Sequence, residues 1–563
     1  MVDVSFDRYY RYDELTQIIH AFADEYPDLV ALESIGQTHE GRDIWLLTLT
    51  NNKTGDALEK PAVWVDANIH ASEVSGSSAA LHLVHVLTTQ YGTDDRITMA
   101  LDTRTFYVIP RISADGAEWA LADKPKIVRS STRPYPFNED PLEGLSNEDV
   151  DGDGRILMMR VEDPNGRWKS HADDPRLLIA RDPDEYGGTY YRVYPEGVAD
   201  NYDGVTLNMK PNKEGLDLNR NFPNNWQPQN KQFGAGNFPL SEPETYAFAK
   251  AVDNRRNICL ATAYHTFSGV LLRPSARNAD TELPAEDLWI YEQQGAKGTD
   301  LTGYPNVSIF HDFKYHPKQL LYGGADWMYE ELGIFYWAVE IWSIQQQAGI
   351  KDYKFIDWYR THDVDDDIKI LKWCDENLDG EGYVDWYEFE HPQLGKVELG
   401  GWNFQLAWRN PPPKLLEKEI EPFAEWFIWQ ALTTPKLETF KIDVESLGGD
   451  SYRVRFAVQN TGYLPTYVTK MALSKGYIRG VVTEIDLPEN ASLKSGKQRV
   501  EIGQLEGRAI TGTSATPWAV SGGSNTADRA MTEWVITAPK GSEITLTAKH
   551  DRAGTVRETI TLK

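Results

Sequence analysis

Along the first 434 residues the hydrophobic and polar positions switch repeatedly between a helical period and short, nearly continuous apolar runs. Behind Asp13, which can cap a helix, Leu15, Ile18, Ile19 and Phe22 fall on one helical face. Apolar runs at 44–50 and 61–66 read as strands, the second leading straight into Asn68-Ile69-His70. The pattern then predicts helices over 74–89, after Ser241, over 284–298 and over 415–432, and strands over 105–110, 258–264 and 333–341. Such alternation predicts an α/β unit, a mixed and mostly parallel sheet covered by helices on both faces. Ligands of such sheets gather at the carboxyl ends of the strands.

Pro435 ends this regime. Beyond it, YRVRFAVQN, YVTKMAL, RVEIGQL, TEWVITA, EITLTAKH and TVRETITLK alternate with period two, separated by Gly, Asn and Pro, and predict an all-β sandwich. The expected organisation is a catalytic unit over 1–434, with insertions at about 117–214 and 345–410, and an accessory β unit over 435–563.

Composition narrows the class. Of 563 residues 41% are hydrophobic and 25% charged, an ordinary globular balance. The net charge of −28 is unevenly placed: 435–563 carry 17 basic and 14 acidic side chains (net +3), leaving 40 basic and 71 acidic (net −31) before them. That field repels phosphate backbones, so nucleic acid is not an expected partner. No apolar run approaches the roughly 18 residues of a membrane span. The start, MVDVSFDRYYRYDEL, shows no signal-peptide core, and only Cys259 and Cys374 are present, so a cytoplasmic setting is expected. A leader trimmed beforehand would leave no trace.

The sharpest local feature is His70-Ala71-Ser72-Glu73 at the end of a strand. A His and a Glu three apart on a tight turn supply two zinc ligands and leave room for a third and for water. Alone, the spacing is a weak signal. Upstream lies GQTHEGRDIW (36–45), and downstream come GLDLNRNFP (215–223), YHTFSG (264–269) and GGADWMYEELGIFYWAVEIW (323–342). In this order the motifs resemble the zinc carboxypeptidases, the carboxypeptidase A-type metallopeptidases, over most of residues 8–342 and the helix at 415–432.

The resemblance implies one zinc ion per chain held by His70, Glu73 and His265, with a fourth position open, as catalytic sites require. It implies that Glu340 is the general base that deprotonates zinc-bound water and hands the proton to the leaving amine. Asn219 and Arg220 match the residues that grip a substrate's terminal carboxylate, for which a guanidinium offers a planar fork. Asp217 resembles an acid that orients a zinc-bound His. Two assignments stay open. Arg129 and Arg133 both fall near the arginine that polarises the scissile carbonyl, with Arg133 preferred; Tyr322 is preferred over Tyr315 for the mobile tyrosine. Ala325 falls at the base of the side-chain pocket, which then lacks a counter-charge for Lys or Arg. The family's Asn-Pro-Asp-Gly reads Ser113-Ala114-Asp115-Gly116 here, and Ser72 stands where an Arg is usual. His82 and His85 are expected to be ordinary helix residues.

The insertions carry two acidic loops that are candidate calcium sites, since alternating acids closed by Gly wrap oxygens round that ion. The first has Asp149, Asp151 and Asp153 before Gly154; the second has Asn377, Asp379, Glu381 and Glu388 at loop positions 1, 3, 5 and 12. The functional expectation is a zinc metallocarboxypeptidase acting on peptides with a free carboxylate. A zinc amidase or deacylase on peptidoglycan-type or acyl-amino-acid substrates is the alternative within enzymes, and an inactive module gripping peptide C-termini the alternative outside them.

Overall fold

A computed structural model of the chain describes residues 2–139, 143–316, 318–509, 514–515 and 525–563. Eight strands make the central sheet: β1 (Val30–Gln37), β2 (Asp43–Leu49), β3 (Ala62–Ala67), β4 (Thr105–Ile109), β5 (Ile258–Thr266), β6 (Val270–Arg273), β7 (Asn306–Ser308) and β8 (Phe335–Ile341). Their order is β1-β2-β4-β3-β5-β8-β6-β7. The pairings β3·β4, β3·β5, β5·β8 and β6·β7 are parallel and the other three antiparallel, the mixed α/β sheet that the alternation predicts.

Side chains of each strand divide between two cores. Phe335, Trp337, Val339 and Ile341 enter one, with the helices Tyr12–Glu25, Ser75–Gln90, Ala285–Thr302 and Pro413–Thr433 packed on it. Tyr336 and Ala338 face the other, covered by the helix Pro243–Asp253. Glu340, two residues on from Ala338, therefore projects on the second face. The strand that supplies it is fully buried, so its polarity is dictated by what lies at its end rather than by solvent.

The structure departs from the sequence pattern in several places. Strand β1 is an edge strand with irregular exposure, so its period does not show. YVTKMAL forms no strand: its second half is the helix Lys470–Lys475, capped by the Thr469 hydroxyl and by the Asp287 carboxylate, which accepts from the Lys470 and Met471 amides. The two insertions do not remain separate loops. Met158–Glu162 pairs with Gly395–Trp402 in a six-stranded antiparallel sheet, and Arg160 bridges to Glu398 at 2.8 Å across that junction.

After the helix Pro413–Thr433 come two four-stranded antiparallel sheets around Val454, Phe456, Trp534, Ile544 and Leu546. This β unit is fastened to the central sheet by Arg552. Its guanidinium is buried and donates to Gly333 O at 2.7 Å and Leu332 O at 2.5 Å, in the turn that precedes β8. Hydrogen bonds from a charged donor are worth about 1.5–3 kcal/mol each, and orphaned buried carbonyls add to the loss. Arg552→Ala is expected to cost about 3 kcal/mol or more in chemical denaturation. A loss below about 0.5 kcal/mol, the ordinary surface-mutation range, would show that this contact does not hold the units together.

Candidate active site and metal centre

Strand β3 ends at Ala67, and Asn68 takes a left-handed conformation with φ +59°, which Asn tolerates better than most residues. From there its side-chain amide donates to His70 O (2.8 Å), Ala71 O (2.9 Å) and Glu73 O (3.2 Å). The carbonyls of the turn are thus drawn inward round Asn68, and the side chains of His70 and Glu73 share its outer side. Beneath lies the helix Ala114–Ala120. A Cβ on Gly116 would sit 2.4 Å from Ser130 O and 2.5 Å from the Ala71 Cβ, so only glycine permits this approach. Asp115 then fastens that helix to GQTHEGRDIW, accepting from Thr38 Oγ1 (2.6 Å), Glu40 N (2.8 Å) and Arg42 Nη1 (2.8 Å). That motif is scaffolding for the turn.

Parallel pairing of β5 with β8 sets His265 directly opposite Glu340. His265 Nδ1 lies 3.1 Å from His70 Nδ1 and 3.2 Å from Glu73 Oε2, while His70 Nδ1 lies 2.9 Å from Glu73 Oε1. Ligands on a tetrahedral zinc with bonds of ~2.0–2.1 Å are separated by about 3.3 Å. The second nitrogen of His70 is 3.2 Å from Asp217 Oδ1. Donation there leaves the His70 Nδ1 lone pair facing the same space as His265 Nδ1 and the Glu73 carboxylate, where a shared cation would be held. The donor set therefore fits zinc on its chemistry and its spacing.

Electrostatics sorts the carboxylates. Burial alone would raise the Glu73 pKa, but His70, His265 and Arg129 outweigh it and hold the group well below the usual carboxylate range. Asp217 is likewise held low against burial by Arg220, His70 and Arg129. Glu340 goes the other way: burial pushes it up and the Glu73 charge adds to that, with His265 and Arg129 opposing. Two acids in one cleft are thus driven apart, one held ionised and one shifted towards its neutral form.

Arg129, not Arg133, reaches this cleft. Its Nη1 is 3.0 Å from Glu73 Oε1 and its Nε 3.3 Å from Asp217 Oδ2, with about half of the side chain accessible. Arg133, the residue preferred from the sequence, is locked in a bidentate pair with buried Glu242 at 2.7 Å on both arms. Proximity to VRSSTRPYP in sequence could not separate two arginines four apart on irregular backbone; the Glu242 carboxylate does. Tyr322 has its backbone tied to Gln232, and the charges that its hydroxyl feels are those of Arg277, Asp326 and Glu330. Half-exposed Tyr315 feels Glu340 instead.

Asn219 sits on the short helical turn Leu218–Arg220, and its Oδ1 accepts from Gly324 N at 2.9 Å. A Cβ on Gly323 would come within 2.3 Å of Asn219 O, so GGADW needs its first glycine to lie against DLNR. Arg220 donates to Asn219 O at 2.8 Å. Ala325 follows, partly buried against the second core.

A zinc carboxypeptidase family model matches residues 15–357, more than half of the chain. The chain belongs to the zinc carboxypeptidase family. A family described only as a domain of unknown function matches residues 436–561. Carboxypeptidase B of Astacus astacus is 29% identical over 180 residues, 32% of this chain and 51% of that protein. The zinc carboxypeptidase of Saccharothrix mutabilis subsp. capreolus is 32% identical over 114 residues, 20% of this chain and 26% of that one. The matched stretches thus span about half, and about a quarter, of these relatives. Among solved structures, thrombin activatable fibrinolysis inhibitor aligns at 16% identity with a TM-score of 0.43, covering 76% of this chain and 74% of that one. Carboxypeptidase A from Helicoverpa armigera aligns at 17% and 0.38, covering 66% and 73%.

Other residues singled out in the sequence fall outside the cleft. Asp149, Asp151 and Asp153 converge, but donors of the turn and of Tyr387 engage their oxygens. Asp149 accepts from Gly152 N and Gly154 N, Asp153 from Arg155, and Asp151 from the Tyr387 hydroxyl. The second loop does not converge. Where a calcium loop would be followed by a helix, the strand Tyr383–His391 follows, placing Glu388 opposite Glu398, while Asp379 pairs with Lys414 at 2.6 Å and Asn377 bonds back to Trp373 O. Nothing here supports calcium at Asn377, Asp379, Glu381 and Glu388.

His82 is buried on the helix Ser75–Gln90, edge-on to Phe6 at 5.0 Å, and burial pushes its pKa down to about 4. A histidine kept neutral in the fold but free to protonate when unfolded contributes stability that is complete above about pH 6.5 and is lost as pH falls towards 4. Relative to His82→Gln, the wild type should therefore lose about 2 kcal/mol between pH 7 and pH 5. Parallel stability curves for the two proteins would contradict it.

Proposed function

We propose that this chain hydrolyses the C-terminal peptide bond of peptides, and that the observation carrying this reading is the register that sets Glu340 beside the His70, Glu73 and His265 cluster. Zinc held by those three side chains would polarise a scissile carbonyl and acidify water. Glu340, opposite His265 in the parallel register, takes the proton of the attacking water and returns it to the departing amine. Arg129, held through Nη1 by Glu73 and through Nε by Asp217, is the cation of the cleft that would meet the developing oxyanion. Arg220 and Asn219, one turn beyond Asp217, receive the terminal carboxylate, a group that internal peptide bonds lack.

The same carboxylate grip suits an acyl-amino-acid substrate, so the amidase alternative shares every residue of the mechanism and differs in the acyl part alone. Elemental analysis of zinc-replete protein is expected to give one zinc per chain, and o-phenanthroline to remove both zinc and hydrolysis. Asp217→Asn, which deprives His70 of its ionised acceptor, should weaken zinc by about 10–100-fold. Protein that hydrolyses peptides at full rate without zinc would end this reading.

A further inference from the structure

The carbonyls of the metal-binding turn are held by two sets of side chains. Asn68 takes those of His70, Ala71 and Glu73. The remaining one, Ser72 O, accepts from Asn410 Nδ2 at 2.9 Å and from Gln405 Nε2 at 3.0 Å, and Ser72 Oγ accepts from Arg409 Nη1 at 2.7 Å. All three donors belong to one short segment at the end of the second insertion, the helical turn Phe404–Arg409 and the residue after it. Asn410 has no exposed surface and bonds through both of its polar side-chain atoms. Besides reaching Ser72 O, its Nδ2 donates to Gln405 O at 3.1 Å, and its Oδ1 accepts from Ser75 N at 3.1 Å. Ser75 opens the helix Ser75–Gln90, and the leading amides of a helix find no partner within it. Val74 before it offers no side-chain acceptor, so Asn410 caps that helix from 335 residues away. One side chain thus spans from the residue before Glu73 to the second residue after it. The same segment reaches the strand of Glu340: Ala407 O accepts from Trp342 Nε1 at 2.7 Å, directly after the end of β8.

We propose that the segment 404–410 positions the metal ligands, with Asn410 as its central positioning residue, so that the second insertion serves the metal centre; this rests on the reading of His70, Glu73 and His265 as zinc ligands. The donor atoms of that cluster lie 2.9–3.2 Å apart, and zinc tolerates errors of only about 0.2 Å in its bonds, so a small shift of the turn costs affinity. Glu73 is the ligand at stake, since its backbone lies between the two residues that Asn410 holds. Loss of the Asn410 amide strips one donor from Ser72 O, a buried acceptor, and the turn relaxes towards other partners. A contact that only packed two segments together would appear in stability and leave the affinity of the folded protein for zinc unchanged.

The test is zinc affinity of the full-length apo-protein, measured by competition with a chromophoric chelator and without any peptide. Asn410→Asp keeps the acceptor for Ser75 N and removes the donor to Ser72 O, so it separates the helix cap from the hold on the turn. It should bind zinc at least about tenfold more weakly than the wild type, the lower end of the range for groups that orient metal ligands. Should a buried acid prevent folding, Gln405→Met combined with Arg409→Met removes the other two donors to Ser72 while sparing Asn410, and should weaken zinc in the same direction. The cobalt-substituted forms of these variants should show altered visible bands, reporting a changed ligand geometry. Arg552→Ala, destabilised through contacts to Leu332 and Gly333, is the control and should bind zinc as the wild type does. Clamp variants that match the wild type in zinc affinity, or a control that weakens zinc as much as they do, would overturn the positioning role and leave a working carboxypeptidase intact. Wild-type protein that takes up no zinc would instead overturn the metal reading itself. Weakened zinc in the clamp variants, with no peptide hydrolysis by the zinc-loaded wild type, would overturn the hydrolase reading and leave the positioning role standing.

Discussion

Glu340→Gln is expected to keep zinc and peptide binding while turnover falls at least about a hundredfold, the lower range for a general base. The expectation rests on where the carboxylate is placed. Its neighbours on β8 alternate between two apolar cores, and nothing in that alternation calls for a charge at position 340. Register supplies the reason: His265 is opposite, and Glu73 close enough to raise its pKa. Gln keeps the volume and loses only the ability to take a proton. A carboxylate whose folded pKa is raised contributes stability that is present below its unfolded pKa and is lost as pH rises through the folded one. In zinc-stripped protein the Gln variant should therefore gain melting temperature over the wild type between pH 5 and pH 8. A structural acid would give the opposite result, a less stable protein that turns over normally per folded molecule. Zinc content, melting temperature and turnover on one preparation distinguish the two; surviving turnover would remove the carboxypeptidase mechanism and the amidase alternative together.

The residues of the candidate metal centre and the acid beside it were legible because each lies at or near the end of an element with a strong pattern. His70 follows a wholly buried strand, His265 closes another, and Glu340 is a lone charge in a third. Local composition is enough for such positions, because an unexplained polar group at the end of an apolar strand costs free energy unless it has a partner. What was not legible depends on contacts distant in sequence. Arg129 and Arg133 share one irregular stretch, and only Glu242, more than a hundred residues later, separates them. Arg409 lies in WRNPPP, which matches no motif, and reaches Ser72 across 337 residues. The acidic run ending at Glu388 looked like a calcium loop because acids at alternate positions also suit an exposed strand, and the strand pairing with Gly395–Trp402 decided between them. Asn68 offered one readable sign, an Asn directly after a strand and before the motif, where a left-handed turn is most easily made.

Removing Arg129 is expected to have the second largest effect. Arg129→Ala should lower kcat by about 100–1,000-fold with a smaller change in KM, as the loss of an oxyanion donor does. Arg133→Ala should do the reverse. It would leave Glu242, which has no exposed side-chain surface, without its cation, costing about 3–5 kcal/mol of stability, the usual penalty for breaking a buried pair, while turnover per folded molecule stays near that of the wild type. The pair of variants is informative because the two side chains are chemically identical and four residues apart, so any difference between them reports placement. Arg129 also neutralises Glu73 and Asp217, so part of its effect could arise from a disturbed metal centre. Arg129→Lys separates these contributions. A lysine preserves the charge that Glu73 and Asp217 see but not the planar fork, so zinc content should hold while kcat remains well below that of the wild type. If Lys restores kcat fully, Arg129 acts through the carboxylates as a positioning residue. If Arg129→Ala retains both zinc and kcat, the oxyanion must be held by another donor, and Arg409, which bonds Ser72 and feels the Glu73 charge, is the first to substitute.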